Sequence, residues 1–165
     1  KADIQRELFF FKKGDNVWVS TWFFIEDSQN SSNLFLFDIE STNTSVLGAN
    51  TSPGRRIFLG SKEEIVSDLG KWYSSEMIVQ EPGKELPIPK NEWFNVEIHL
   101  FLSEDNNGKM EVWQNNEKIL SANKQTLPKA ESIYDRIQFG ITANANDQFS
   151  QTVFVDDIQI SDKPI

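Results

Sequence analysis

The sequence predicts an all-β fold, a single jelly-roll sandwich of two antiparallel sheets covering residues 1–165, and three observations predict it. Apolar or alternating runs of strand length recur along the chain, separated by clusters of Asn, Ser, Asp and Gly suited to turns. Thirteen Phe and five Trp against two Met favour sheets over helices. The stretch from Trp93 to Ser103 alternates without a break. Phe94, Val96, Ile98, Leu100 and Leu102 fall on one side, and Asn95, Glu97, His99 and Phe101 on the other. A polar turn, Glu104-Asp105-Asn106-Asn107-Gly108-Lys109, leads from it into Met110-Glu111-Val112-Trp113-Gln114-Asn115. One side of that pair suits a core. The other is polar yet carries aromatics, as a binding face does.

The remaining elements follow by the same reading. Strands are expected at 4–11, 17–25, 34–40, 55–59, 72–79, 94–103, 110–114, 118–120, 136–143 and 151–160. Lys12-Lys13-Gly14-Asp15-Asn16 reads as a hairpin turn. Glu81-Pro82-Gly83 and Pro87-Ile88-Pro89 break regular structure and make a loop before Trp93. Residues 62–69 alone suit a short helix, with Ser61 as its cap and Glu64 completing a capping box. Strands as long as 94–103 favour a jelly-roll over a compact immunoglobulin-like sandwich, and such folds offer a curved sheet to ligands.

Composition narrows the function. A net charge of -9 and a pI near 4.6 leave no basic stripe for nucleic acid. No apolar run is long enough to span a bilayer. There are no cysteines, hence no disulfides or thiolate chemistry. The chain starts at Lys1 and shows no signal peptide, which reads as a mature or excised domain of a larger multidomain protein.

Three segments resemble the jelly-roll, concanavalin-like polysaccharide lyases and their carbohydrate-binding relatives. Gln5-Arg6-Glu7-Leu8, followed at hairpin distance by Val17-Trp18-Val19-Ser20-Thr21-Trp22, resembles their Arg-x-Glu-Leu strand and Trp-rich second strand. The run from Trp93 through its Asn-Gly turn to Val112-Trp113-Gln114-Asn115 is the second segment, and Asp135-Arg136-Ile137-Gln138-Phe139-Gly140-Ile141 the third, similar to a Tyr-x-Lys-x-Gly-x-Tyr strand. The resemblance implies a secreted or cell-surface protein that handles a polysaccharide. Lyases of this kind abstract a proton beside a uronate carboxylate, so they need a group to neutralise it and a Tyr or His as base and acid. Here the departures matter. The family's Gln-x-His falls at Asp38 and Glu40, whose carboxylates repel an anionic polymer; Gln138 replaces its Lys, and Thr142 its last Tyr.

The expected function is therefore carbohydrate recognition without catalysis. Arg6, Trp22, Glu97, His99, Trp113 and Gln138 are expected to line the concave sheet, the tryptophans as platforms for apolar sugar faces. The alternative is a diverged polysaccharide lyase or glycoside hydrolase, with His99 and Tyr73 or Tyr134 moving protons and Arg6 holding a carboxylate. A structural or adhesive domain is a third reading. Val153 and Val155 alternate in step, and Ile158 and Ile160 resume one residue out of phase, so a bulge is expected at Asp156-Asp157. In the resembling modules one Asp of such a pair commonly ligates a structural calcium together with backbone carbonyls, so the resemblance implies calcium at Asp156 and Asp157, which hard oxygen ligands suit.

Overall fold

The computed structural model describes residues 2–26, 31–41, 52–70, 77–144 and 150–165. Among them ten strands form: β1 (Ala2–Phe11), β2 (Asn16–Ile25), β3 (Leu34–Ser41), β4 (Ser52–Leu59), β5 (Ile65–Asp68), β6 (Trp93–Phe101), β7 (Lys109–Gln114), β8 (Glu117–Asn123), β9 (Tyr134–Asn144) and β10 (Val153–Ser161). They pair antiparallel into two five-stranded sheets, sheet A in the order β1-β9-β3-β4-β5 and sheet B in the order β10-β2-β6-β7-β8. This is a jelly-roll sandwich.

The two-residue period decides what lies between the sheets. Sheet B sends in Val17, Val19, Phe23 and Ile25 from β2, Phe94, Val96, Ile98 and Leu100 from β6, and Met110 and Val112 from β7. Sheet A answers with Leu36, Ile39, Ile57, Leu59, Ile137 and Phe139. All are essentially sealed from water, and burying each such side chain is worth roughly 1.5–3 kcal/mol. Every outward residue of a strand then lies on one of two outer faces, on opposite sides of the molecule.

Three expectations change here. The turn at Lys12 to Asp15 forms, with the Asp15 N–H donating to the Lys12 carbonyl at 3.0 Å and Gly14 at φ 87°. It does not close a hairpin, because β1 lies in sheet A and β2 in sheet B. The expected helix at 62–69 is instead a turn followed by β5: Ile65 to Asp68 pair with Leu59 to Arg56. Cross-strand pairing of Ile65 and Val66 overrides the local capping signal, and the Glu64 carboxylate accepts from the Lys62 N–H at 2.8 Å inside the turn. Of the strand expected at 72–79, Ile78 forms an isolated bridge to Ser67, and 72–76 lie outside the described residues.

Two buried polar anchors tie the loop after β8 to sheet A. Arg55, fully buried, donates from Nε to the Gln125 carbonyl at 3.0 Å, and the Tyr134 hydroxyl donates to the Thr126 carbonyl at 2.6 Å. Gly54 makes room for that phenol, since a Cβ there would stand 2.2 Å from the Tyr134 hydroxyl oxygen. At Gly140, φ is +103° and an added Cβ would meet the Ala2 carbonyl oxygen at 2.9 Å, so glycine lets β1 come close to β9.

Candidate functional site

The outer face of sheet A carries one row of polar residues, one from each strand and all in register. Gln5 pairs with Gln138, Gln138 with Asp38, Asp38 with Arg56, and Arg56 with Asp68. At the spacing of paired strands the row is about 19 Å long. Its groups hold one another. Gln138 Nε2 donates to Asp3 Oδ2 at 2.7 Å and to Gln5 Oε1 at 3.0 Å. The Arg56 guanidinium forks onto Asp68, with Nε to Oδ1 at 2.8 Å, and lies 4.5 Å from the centre of the Phe35 ring. One row along, Arg136 donates to Glu40 at 3.3 Å. The middle of the row is shielded, with Gln138 at 1%, Asp38 at 8% and Arg56 at 9% exposure, while Gln5 is exposed and Asp68 half-buried at the ends. The repulsive pair expected at Asp38 and Glu40 is therefore tempered, because Arg56 adjoins the first in register and Arg136 bonds the second.

The outer face of sheet B is built differently. Its rows read Phe154, Phe24, Trp93; then Asp156, Trp22, Asn95; then Gln159, Ser20, Glu97, Trp113; then Ser161, Trp18, His99, Glu111. Trp18 stacks on His99 with ring centres 4.1 Å apart and on Trp113 at 5.9 Å. Phe24 touches Trp93 at 5.6 Å and Phe154 at 5.8 Å. Trp22, Trp93 and Phe154 remain 39%, 45% and 48% exposed.

His99 is held on every side. Its Nδ1 lies 3.1 Å from Glu111 Oε2 and its Nε2 2.8 Å from Asn16 Oδ1, with Trp18 across its face. Glu111 also accepts from Lys118 at 2.6 Å and Lys109 at 2.9 Å. Burial pushes the Glu111 carboxyl up, but the bonds from Lys118, Lys109 and His99 outweigh it and hold the group at about 2.

The six residues expected to share a binding face do not. Trp22, Glu97, His99 and Trp113 meet on the outer face of sheet B, while Gln138 lies on the outer face of sheet A, across the thickness of the sandwich. Arg6 sits on β1 opposite Ile137, a core residue, so it leaves the sheet on the other side from Gln138 and is exposed at the edge. Tyr134, offered as a proton-transfer group, is fully buried and bonded to Thr126. Tyr73 lies outside the described residues. Arg56, Asp68 and Arg136 escaped the sequence reading. The charge alternation of Arg56 with Asp68 gives no hint of partnership until β4 and β5 are paired.

The bulge at Asp156-Asp157 forms as expected: the register with β2 shifts between Asp156 and Gln159, and Asp157 adopts φ 48°. The Asp156 carboxylate accepts from the Asp157 N–H at 2.8 Å, and among the described residues no third His, Cys, Asp or Glu gathers there.

Two five-stranded antiparallel sheets with long strands, a polar row on one outer face and aromatics on the other define a jelly-roll sandwich with two chemically distinct faces. The chain matches the polysaccharide lyase family over residues 3–159 and belongs to it. No curated protein sequence matches it. Among solved structures, an endo-β-1,4-glucuronan lyase from the fungus Trichoderma reesei superposes with a TM-score of 0.72 at 11% identity, over 96% of this chain and 73% of that one. The cellulose induced protein Cip1 gives 0.66 at 17% identity, over 93% and 71%. The alginate lyase Aly36B gives 0.58 at 8% identity, over 96% and 79%. At these identities the likeness concerns the fold.

Proposed function

We propose that this domain binds a polysaccharide along the outer face of sheet A without cleaving it. The observation that carries this reading is the separation, among the described residues, between the polar row and the groups able to move a proton. The chain's one histidine is packed against Glu111, Asn16 and Trp18 on sheet B, and Tyr134 is committed inside the core. Neither reaches the row of Gln138, Asp38 and Arg56. The row is accessible at its ends, where Gln5 is exposed and the half-buried Asp68 carboxylate is held by Arg56, so saccharide hydroxyls meet partners there that need little further ordering. Its residues stand on strands that the family match covers. Affinity comes from several modest polar contacts rather than one strong charge.

A diverged lyase is the second reading, and Arg56 and Arg136 favour it, since both guanidiniums lie on that face and could neutralise a uronate carboxylate. One experiment separates the two. The protein is incubated at length with alginate, glucuronan and neutral glucans while binding and the absorbance of a new double bond are followed. Binding with unchanged chain length supports recognition, weakened in Arg56→Ala. Accumulation of unsaturated or shortened product defeats it.

A further inference from the structure

The outer face of sheet B leaves Trp22, Trp93 and Phe154 substantially exposed to water. We infer that it is a second carbohydrate site, which stacks a neutral polysaccharide on Trp22 and Trp93. The two rings stand on neighbouring strands as diagonal neighbours, because Trp22 pairs with Asn95 and Trp93 with Phe24. Their backbones are therefore about 7 Å apart, so one extended ligand can meet both rings. Phe154 extends the platform on the far side of Phe24.

The polar groups around the rings choose the ligand. Asp156 flanks Trp22 on one strand and Asn95 on the other. One row along, the side chains of Glu97 and Gln159 make no hydrogen bond among the described residues, so their acceptors are unspent. Apolar plates bordered by open acceptors fit a pyranose, whose ring faces are C–H surface and whose rim is hydroxyl. A protein partner would bury the Glu97 carboxylate without compensation unless it brought a cation to it. A polyanion would meet Glu97, Asp156 and Asp157 together. The nearby cations, Lys109 and Lys118, are already engaged by Glu111. A neutral polymer with mainly equatorial hydroxyls, offering broad apolar faces, is the ligand class that these groups accept.

The test is affinity electrophoresis of the 165-residue chain in hydroxyethylcellulose, galactomannan or alginate, with retention on acid-swollen cellulose. Wild type is expected to be retarded by at least one neutral polymer. The double variant Trp22→Ala, Trp93→Ala is expected to lose affinity by about tenfold or more, and Glu97→Ala by a few-fold. Both tryptophans are substantially exposed, and near-ultraviolet circular dichroism and thermal melting verify that the variants stay folded. The inference is overturned if no neutral polymer retards the wild type or if the tryptophan variants bind as well. It is also overturned if sedimentation shows the face burying itself in a dimer that Trp22→Ala dissolves. Its fate is separable from that of the sheet A reading. Loss in Arg56→Ala with retention in the tryptophan variants leaves only sheet A, and the reverse leaves only sheet B.

Discussion

The outer faces of sheets A and B come from strands of similar length and the same alternation, and they solve opposite problems. On sheet A the outward residues are mutually bonded: Gln138 to Asp3 and Gln5, Arg56 to Asp68, Arg136 to Glu40. On sheet B, Trp22, Trp93 and Phe154 are left in contact with water, and Glu97 with no partner among the described residues. A face whose polar groups are spent on each other contributes to stability and presents a rigid surface. A face with unspent rings and acceptors contributes little to folding and has more to give a ligand. Binding on sheet A is thus tied to stability, whereas on sheet B the two are separable.

The largest expected effect that tests this separation is Arg56→Ala. It takes the guanidinium fork from the half-buried Asp68 carboxylate and removes the contact with Phe35, so urea unfolding should show a loss of about 3 kcal/mol. Trp22→Ala should cost less, about 1 kcal/mol in the same assay, because its ring is already partly hydrated. Equal losses would mean that sheet B's aromatics serve packing after all.

A smaller effect concerns acid. The Glu111 carboxyl titrates at about 2 in the folded chain against 4.5 ordinarily. Between those values the unfolded chain binds the extra proton, so stability rises with pH across that window and is lost as pH falls toward 2. We expect a contribution of about 1–3 kcal/mol above pH 5, reduced by the hydration of Lys109 and Lys118. It should be absent from the profile of Glu111→Gln, and parallel acid-unfolding curves for the two proteins would contradict it. The smallest effect is on chemistry. His99→Ala should leave the chain length of every polymer as wild type leaves it, while lowering the melting temperature by a few degrees through loss of the Trp18 stack. A lyase activity that vanishes in this variant would place the reacting centre on sheet B.

Alternation made most of the fold legible. Phe94, Val96, Ile98, Leu100 and Leu102 all face the core as their spacing requires, and the phase change at Asp156-Asp157 marks a real bulge. What alternation cannot carry is which sheet a strand joins. Gln138 and His99 both occupy outward positions of amphipathic strands, and nothing local says that β9 and β6 belong to different layers. The expected binding set therefore mixed two faces. The same ignorance of partners produced the expected helix at 62–69, where β4 supplies the pairing that local preference lacks. The Arg56–Asp68 fork was invisible for that reason too.

The turn from Lys12 to Asp15 hands the chain from one sheet to the other after a single strand, leaving β1 at an edge with β9 as its partner. That partner begins at Tyr134, more than a hundred residues away along the backbone. Sheet B can assemble β2, β6, β7 and β8 while β1 waits with its ladder groups open to solvent. Of the ten strands β1 comes earliest in sequence and is thus among the last to dock. Its outer edge, which carries no further strand among the described residues, is where a slow-folding population would stick to its neighbours.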